Sequence, residues 1–181
     1  MEEKTILGHP RGLFILFFTE LWERFSYYGM RAILVLYLTA ETTDKMNPGL
    51  GWTSKEALAL YGWYGMFVYF TGIGGGIIAD RYLGQKKSVL LGGLIIILGQ
   101  FALSVGNMTA FYAGLVLLVC GVGLLKPNIS TMVGSLYKQG DLRRDSGFTI
   151  FYIGINIGAV LAKYQLLLRI HLRALRLCVI Q

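Results

Sequence analysis

The sequence is short of charge. Of its 181 residues only 15% are Asp, Glu, Lys or Arg, while 55% are hydrophobic and the mean hydropathy is +0.57. A soluble domain carries about 25% charged residues, so a water-soluble globule is excluded and an integral membrane protein is indicated. Proline is scarce, at 3 residues against 24 glycines. Apolar helices can therefore run long and pack closely. The two cysteines, Cys120 and Cys178, lie far apart in apolar surroundings, which implies neither a disulfide framework nor a metal set. The first apolar stretch is too long and too charged for a signal peptide and lacks a small-residue cleavage site. There is no nucleophile–base set, metal-ligand cluster or cofactor loop, so an enzyme is not expected. The net charge of +7 calls for no nucleic-acid partner, because four of the seventeen basic residues and none of the ten acids lie in residues 163–181.

A helical span needs about 20 mainly apolar residues. Five segments qualify or nearly so: about Leu13–Ala40, Glu56–Ile78, Ser88–Gly106, Thr109–Lys126, and one from Gly147 that reads cleanly only to Ala162. Turns are expected at Asn47-Pro48-Gly49 and Gly106-Asn107-Met108. Lys4 and Arg11 precede the first span, Arg81, Lys86 and Lys87 follow the second, and Lys138, Arg143 and Arg144 follow the fourth. The alternate loops hold only Lys45 and Lys55. The positive-inside rule then puts residues 1–12 and the second and fourth loops in the cytoplasm. Residues 163–181, with Arg169, Arg173 and Arg176 spaced as one helical stripe, read either as an interfacial helix or as an aberrant tail after a frameshift or truncation. The abrupt change in composition favours the second.

What charge there is sits in telling places. Glu20-Leu21-Trp22-Glu23-Arg24 puts three charges inside the first span, at a cost from about 2.5 to over 10 kcal/mol each. At 100° per residue, Glu20, Arg24, Tyr27 and Arg31 fall within about 60° on one face, with Glu23 at one edge and Tyr28 at the other. Trp22 and Phe25 point elsewhere. Such a stripe is either an internal ion-pair network or the wall of a polar cavity. Lys126, ahead of Pro127-Asn128, is a second intramembrane charge, because an apolar stretch continues beyond it. A carboxylate of the first helix is its natural partner, and Glu20 or Glu23 with Lys126 makes a protonatable latch. Tyr69 contributes a hydroxyl and Asn156 a neutral hydrogen-bonding group. The Gly74–Lys87 segment allows close helix approach, and its Asp80 can cap a helix or pair with a basic neighbour. It lacks the spacing of a nucleotide-binding loop.

With these residues in hand, the sequence from about Gly8 to Ala162 resembles the N-terminal part of the proton-coupled oligopeptide transporters of the major facilitator superfamily. Three motifs carry the resemblance: Glu20-x-x-Glu23-Arg24-Phe25-x-Tyr27-Tyr28, the Gly75–Lys87 loop, and Phe151-Tyr152-x-x-Ile155-Asn156-x-Gly158. The fold implied is all-α, about five transmembrane helices of a truncated N-terminal half, with residues 13–162 as a partial bundle. Glu20, Glu23 and Lys126 would serve proton coupling. Arg24 and Arg31 would bind the carboxylate of a di- or tripeptide. Tyr27, Tyr28, Tyr69, Lys126 and Asn156 would line its pocket. Gly75, Asp80, Arg81, Gly84, Lys86 and Lys87 would form the conformational loop. The resemblance implies multi-pass insertion in the cytoplasmic membrane, protons as coupling ion, no cofactor, and small peptides and the lipid bilayer as partners. The family has at least twelve spans, so a C-terminal half is missing and the piece alone is expected to be inactive. A competing reading is a small membrane protein that works by association, using Gly72-x-x-x-Gly76 and Gly154-x-x-x-Gly158 against partner subunits.

Overall fold

The structure, a computed structural model, describes residues 5–43 and 49–180, with side chains described up to residue 168. A short antiparallel hairpin of β1 (Thr5–Ile6) and β2 (His9–Pro10) leads into five long helices. These are α1 (Arg11–Thr39), α2 (Ser54–Ile78), α3 (Gln85–Ser104), α4 (Met108–Ser135) and α5 (Arg143–Ile180). A π-helical turn, Ala79–Leu83, joins α2 to α3. Among the described residues, three helical stretches are long and apolar enough to cross a membrane: α3, α4 and residues 143–168 of α5. α1 and α2 are long enough, but α1 carries its charges mid-helix and α2 is diluted by glycine, tyrosine and tryptophan.

The helix ends follow local chemistry. Thr53 and Glu56 form a capping box at the start of α2: the Glu56 carboxylate accepts from the Thr53 N–H at 2.9 Å, and Thr53 Oγ1 accepts from the Glu56 N–H at 3.3 Å. Asn107 Oδ1 accepts from the Ala110 N–H at 2.7 Å and starts α4 right after the turn expected there. Of the other expected turn, Asn47 and Pro48 lie outside the described residues, as does Lys45. The chain beyond it returns to α1, where the N–H groups of Leu50 and Trp52 satisfy the terminal carbonyls of Tyr37 and Leu38. Gly84, at φ +75°, closes the π-helical turn by donating to the Ala79 carbonyl at 2.8 Å. Two helices run further than expected. α4 passes through Pro127 to Ser135, and α5 crosses Ala162 without a break into the basic tail. The Arg169, Arg173 and Arg176 side chains lie outside the described residues.

The chain forms two compact units. The first, residues 1–59 and 141–181, pairs α1 with α5. A Cβ on Gly154 would meet the Phe17 ring at 2.8 Å, and one on Gly158 would overlap the Leu21 carbonyl and lie 3.0 Å from Arg24 Cβ. Gly154-x-x-x-Gly158 thus seats α5 on α1 within the chain. The second unit, residues 60–140, pairs α3 antiparallel with α4. Gly92 and Gly99 face Gly121 and Gly114, each so close that a Cβ would meet opposing backbone oxygen at 2.8–3.1 Å. This seven-residue glycine spacing on both helices is what lets the backbones touch. In the same unit α2 lies along α4, with Thr71 Oγ1 donating to the Val119 carbonyl at 3.1 Å and Gly75 against Gly123. Gly72, by contrast, faces open space.

Candidate substrate and proton site

On α1 the buried face reads Leu13, Leu16, Glu20, Glu23, Arg24, Tyr27, Met30, Leu34 and Leu38. The charged stripe is therefore the middle of the face the helix buries, with apolar residues sealing both ends. Glu20, Glu23 and Arg24 are 3%, 7% and 4% exposed, which is membrane-core burial for three charges. Arg24 Nε lies 3.0 Å from Glu20 Oε1 and also contacts Glu23 Oε2, so one guanidinium serves both carboxylates. The Tyr27 ring lies between the two arginines: Arg24 Cζ is 5.1 Å and Arg31 Cζ 5.3 Å from its centroid. Arg31 Nη1 also donates to the Tyr27 hydroxyl at 3.1 Å. Tyr28 packs edge-on against Tyr27 at 5.5 Å and is 38% exposed. Trp22 turns outward as expected, at 62% exposed.

Asn156 lies on the exposed side of α5, away from Gly154 and Gly158, and caps the Tyr152 carbonyl at 2.9 Å. It sits in a shallow apolar depression with Ile153, Ile157 and Val160.

The second unit brings Lys126 and Tyr69 together. Lys126 Nζ stands 4.6 Å from the centroid of the Tyr69 ring, which is itself 67% exposed. Lys126 and α1 belong to different units.

In the loop, Asp80, Arg81, Lys86 and Lys87 are exposed. Asp80 neither caps a helix nor forms an ion pair among the described residues. The turn is held by backbone, with the buried Ser88 hydroxyl donating to the Gly84 carbonyl at 2.9 Å. Gly75 belongs to the α2–α4 contact.

Three participants escape a reading of charge alone. Gly158 presses α5 onto the backbone that carries Arg24. Asn128, 2% exposed, bridges α4 to α2; the signal was a polar residue in an apolar helix. Arg143 forms a fork on Asp141 and donates to the Gly8 carbonyl at 2.9 Å, tying the hairpin to the start of α5.

The site is a buried Glu–Glu–Arg cluster beside a tyrosine held by a second arginine. Comparison with known proteins gives the family. A model of the POT family matches residues 86–167. The chain belongs to the POT family. It is accordingly a helical, multi-pass membrane protein of a transporter family. It is 55% identical over 161 residues to a Bacillus subtilis (strain 168) protein named uncharacterized transporter YclF, covering 88% of this chain and 32% of that protein. It is 53% identical, with the same coverage, to a di-/tripeptide transporter of Lactococcus lactis subsp. lactis (strain IL1403). Among solved structures it matches a peptide transporter POT in complex with alafosfalin at a TM-score of 0.84 and 53% identity, covering 88% of this chain and 33% of that one. The chain thus spans about a third of the length of the relatives it matches.

Proposed function

We propose that this chain is part of a proton-coupled symporter of di- and tripeptides in the cytoplasmic membrane, with its N-terminus on the cytoplasmic side, and that it is not an enzyme. The observation that carries the reading is the single Arg24 guanidinium shared by two buried carboxylates. With both carboxylates ionised, Arg24 Nε is shared between them. Protonating one of them releases part of the guanidinium's hydrogen-bonding capacity, and a peptide carboxylate then takes that place. Arg31, aligned by Tyr27, provides a second cation on the same face. Proton and peptide would thus bind together, and inward proton movement, worth about 2.3 kcal/mol per 100 mV, drives uptake.

In this reading Glu20 and Lys126 form a protonatable latch, Lys126 and Tyr69 presenting a cation and an aromatic wall. Tyr28 and Asn156 complete the adaptable polar surface, and the Gly75–Lys87 loop, with Asp80, Arg81 and Gly84, governs the conformational change. The remaining two-thirds of the transporter would supply the opposite wall. Packing of Gly154 and Gly158 against α1 removes one of the two glycine pairs on which association with partner subunits would have rested. The test is pH-dependent dipeptide uptake by the full-length transporter carrying this sequence. Glu20→Gln and Lys126→Ala should each abolish proton-driven uptake. Retention of both the rate and its pH dependence would overturn the assignment.

A further inference from the structure

Asn128 is a polar side chain in one of the most apolar helices of the chain, and its position next to Pro127 explains what it does. Proline has no N–H, so the Gly123 carbonyl one turn earlier loses its helical donor. That oxygen is where α2 comes closest: a Cβ on Gly75 would overlap it, so only glycine fits there. One residue past the proline, Asn128 Nδ2 donates to the Leu124 carbonyl at 2.7 Å and to the Gly75 carbonyl at 3.3 Å. A Cβ on Gly76 would lie 4.0 Å from Pro127 Cβ. Gly75 and Gly76 of α2 are thus seated on Pro127 and Asn128 of α4, and the seat is closed by one buried amide. Lys126 leaves α4 immediately before this seat and reaches over the Tyr69 ring of the same α2.

We infer that Asn128 is a positioning residue: by locking α4 to Gly75 it sets the direction in which Lys126 projects. The inference rests on the role given above to Lys126 only for its consequence in transport, since the positioning itself involves α2 and α4 alone. An apolar residue at 128 would leave the helix intact, because the backbone bonds are unchanged, but would let the two helices slip at the proline. A neutral amide suits this place, since an unpaired charge there would be far more costly to bury.

The experiment follows amine labelling of Lys126 by mass spectrometry in the full-length transporter in nanodiscs, at a series of pH values, with exposed Lys138 of the same unit as internal control. Asn128→Leu removes both hydrogen bonds. Asn128→Ser keeps a hydroxyl able to reach its own preceding-turn carbonyl but too short to reach Gly75. Both variants should change the Lys126 labelling rate about threefold or more, with Lys138 unchanged. Both should also displace the pH profile of dipeptide uptake at equal amounts of folded protein. Unchanged labelling of Lys126 in both variants overturns the inference, and so does equal acceleration of Lys126 and Lys138, which would mean general loosening. Altered Lys126 labelling in the two variants, together with a wild-type protein that carries no dipeptide, would leave the positioning role standing and sink the transport reading instead.

Discussion

α1 and α4 each bury charged or strongly polar groups in an apolar helix, and they solve the problem differently. α1 gathers its charges into one cluster in which Glu20 and Glu23 share Arg24 and Tyr27 spaces Arg24 from Arg31. α4 carries a single cation, Lys126, steadied by a ring face and flanked by a proline and a neutral amide. The cluster is held by electrostatics between side chains of one helix. The lone lysine is held by backbone geometry between two helices. In the proposed symporter the first arrangement would respond to protons and the second to how α2 and α4 sit together.

The contrast breaks most visibly at Arg24. Arg24→Met leaves two carboxylates buried together with their cation gone, and removing one partner of a buried pair costs about 3–5 kcal/mol. Thermal unfolding in detergent at neutral pH should show the loss. Adding Glu20→Gln and Glu23→Gln should recover much of it, because the penalty belongs to uncompensated charge and not to lost packing. Failure of the triple variant to recover would mean that Arg24 acts mainly through its contact with Gly158.

On the α2–α4 side the decisive variants are steric. Gly75→Val forces a side chain into the Gly123 backbone and should cost about 1–3 kcal/mol. Gly72→Val on the same helix meets open space and should shift stability by no more than about 0.5 kcal/mol. Equal effects at the two positions would mean that the α2–α4 seat is not a close contact. A smaller change sharpens the α1 cluster: Tyr27→Phe keeps the ring between the arginines but deletes the 3.1 Å bond from Arg31, a loss of about 0.5–1.5 kcal/mol. Its signature should be a raised KM for dipeptide together with that modest loss of stability.

Much of this was legible in the residues. The five helices fall where hydropathy places them, and the polar face of α1 follows from a 100° rotation per residue. Less legible were the contacts made by residues with nothing to advertise. Gly92, Gly99, Gly114 and Gly121 look like any glycines until α3 and α4 are laid antiparallel. Asn128 reads as a helix breaker's neighbour until the Gly75 carbonyl is beside it. The 100° stripe placed Arg24 one turn from Glu20, and the structure pairs the two. At the end of α5, Lys163 ends the apolar run but not the helix propensity, since leucine, arginine and alanine continue the helix to Ile180.

The smallest expected effect concerns an ion pair outside the buried faces. Asp141 takes two bonds from the Arg143 guanidinium, and those bonds hold its carboxyl down at about 2. The third arm of Arg143 reaches the Gly8 carbonyl, so the fork also holds the hairpin. Because the folded carboxyl is more acidic than an unfolded Asp at about 3.9, the fork's contribution is complete above that value and is lost as the pH falls through about 2. Protection of the hairpin amides, taken relative to the intrinsic exchange rate at each pH, should therefore stay level from neutral pH to about 4 and fall below it. Asp141→Asn should show the lowered protection at every pH, and salt should weaken the contact, as it does for exposed pairs and not for buried ones. His9, buried in the hairpin itself, lends Asp141 a further electrostatic contribution. The Glu20–Glu23–Arg24 cluster, sealed by leucines above and below, should show no such sensitivity to salt.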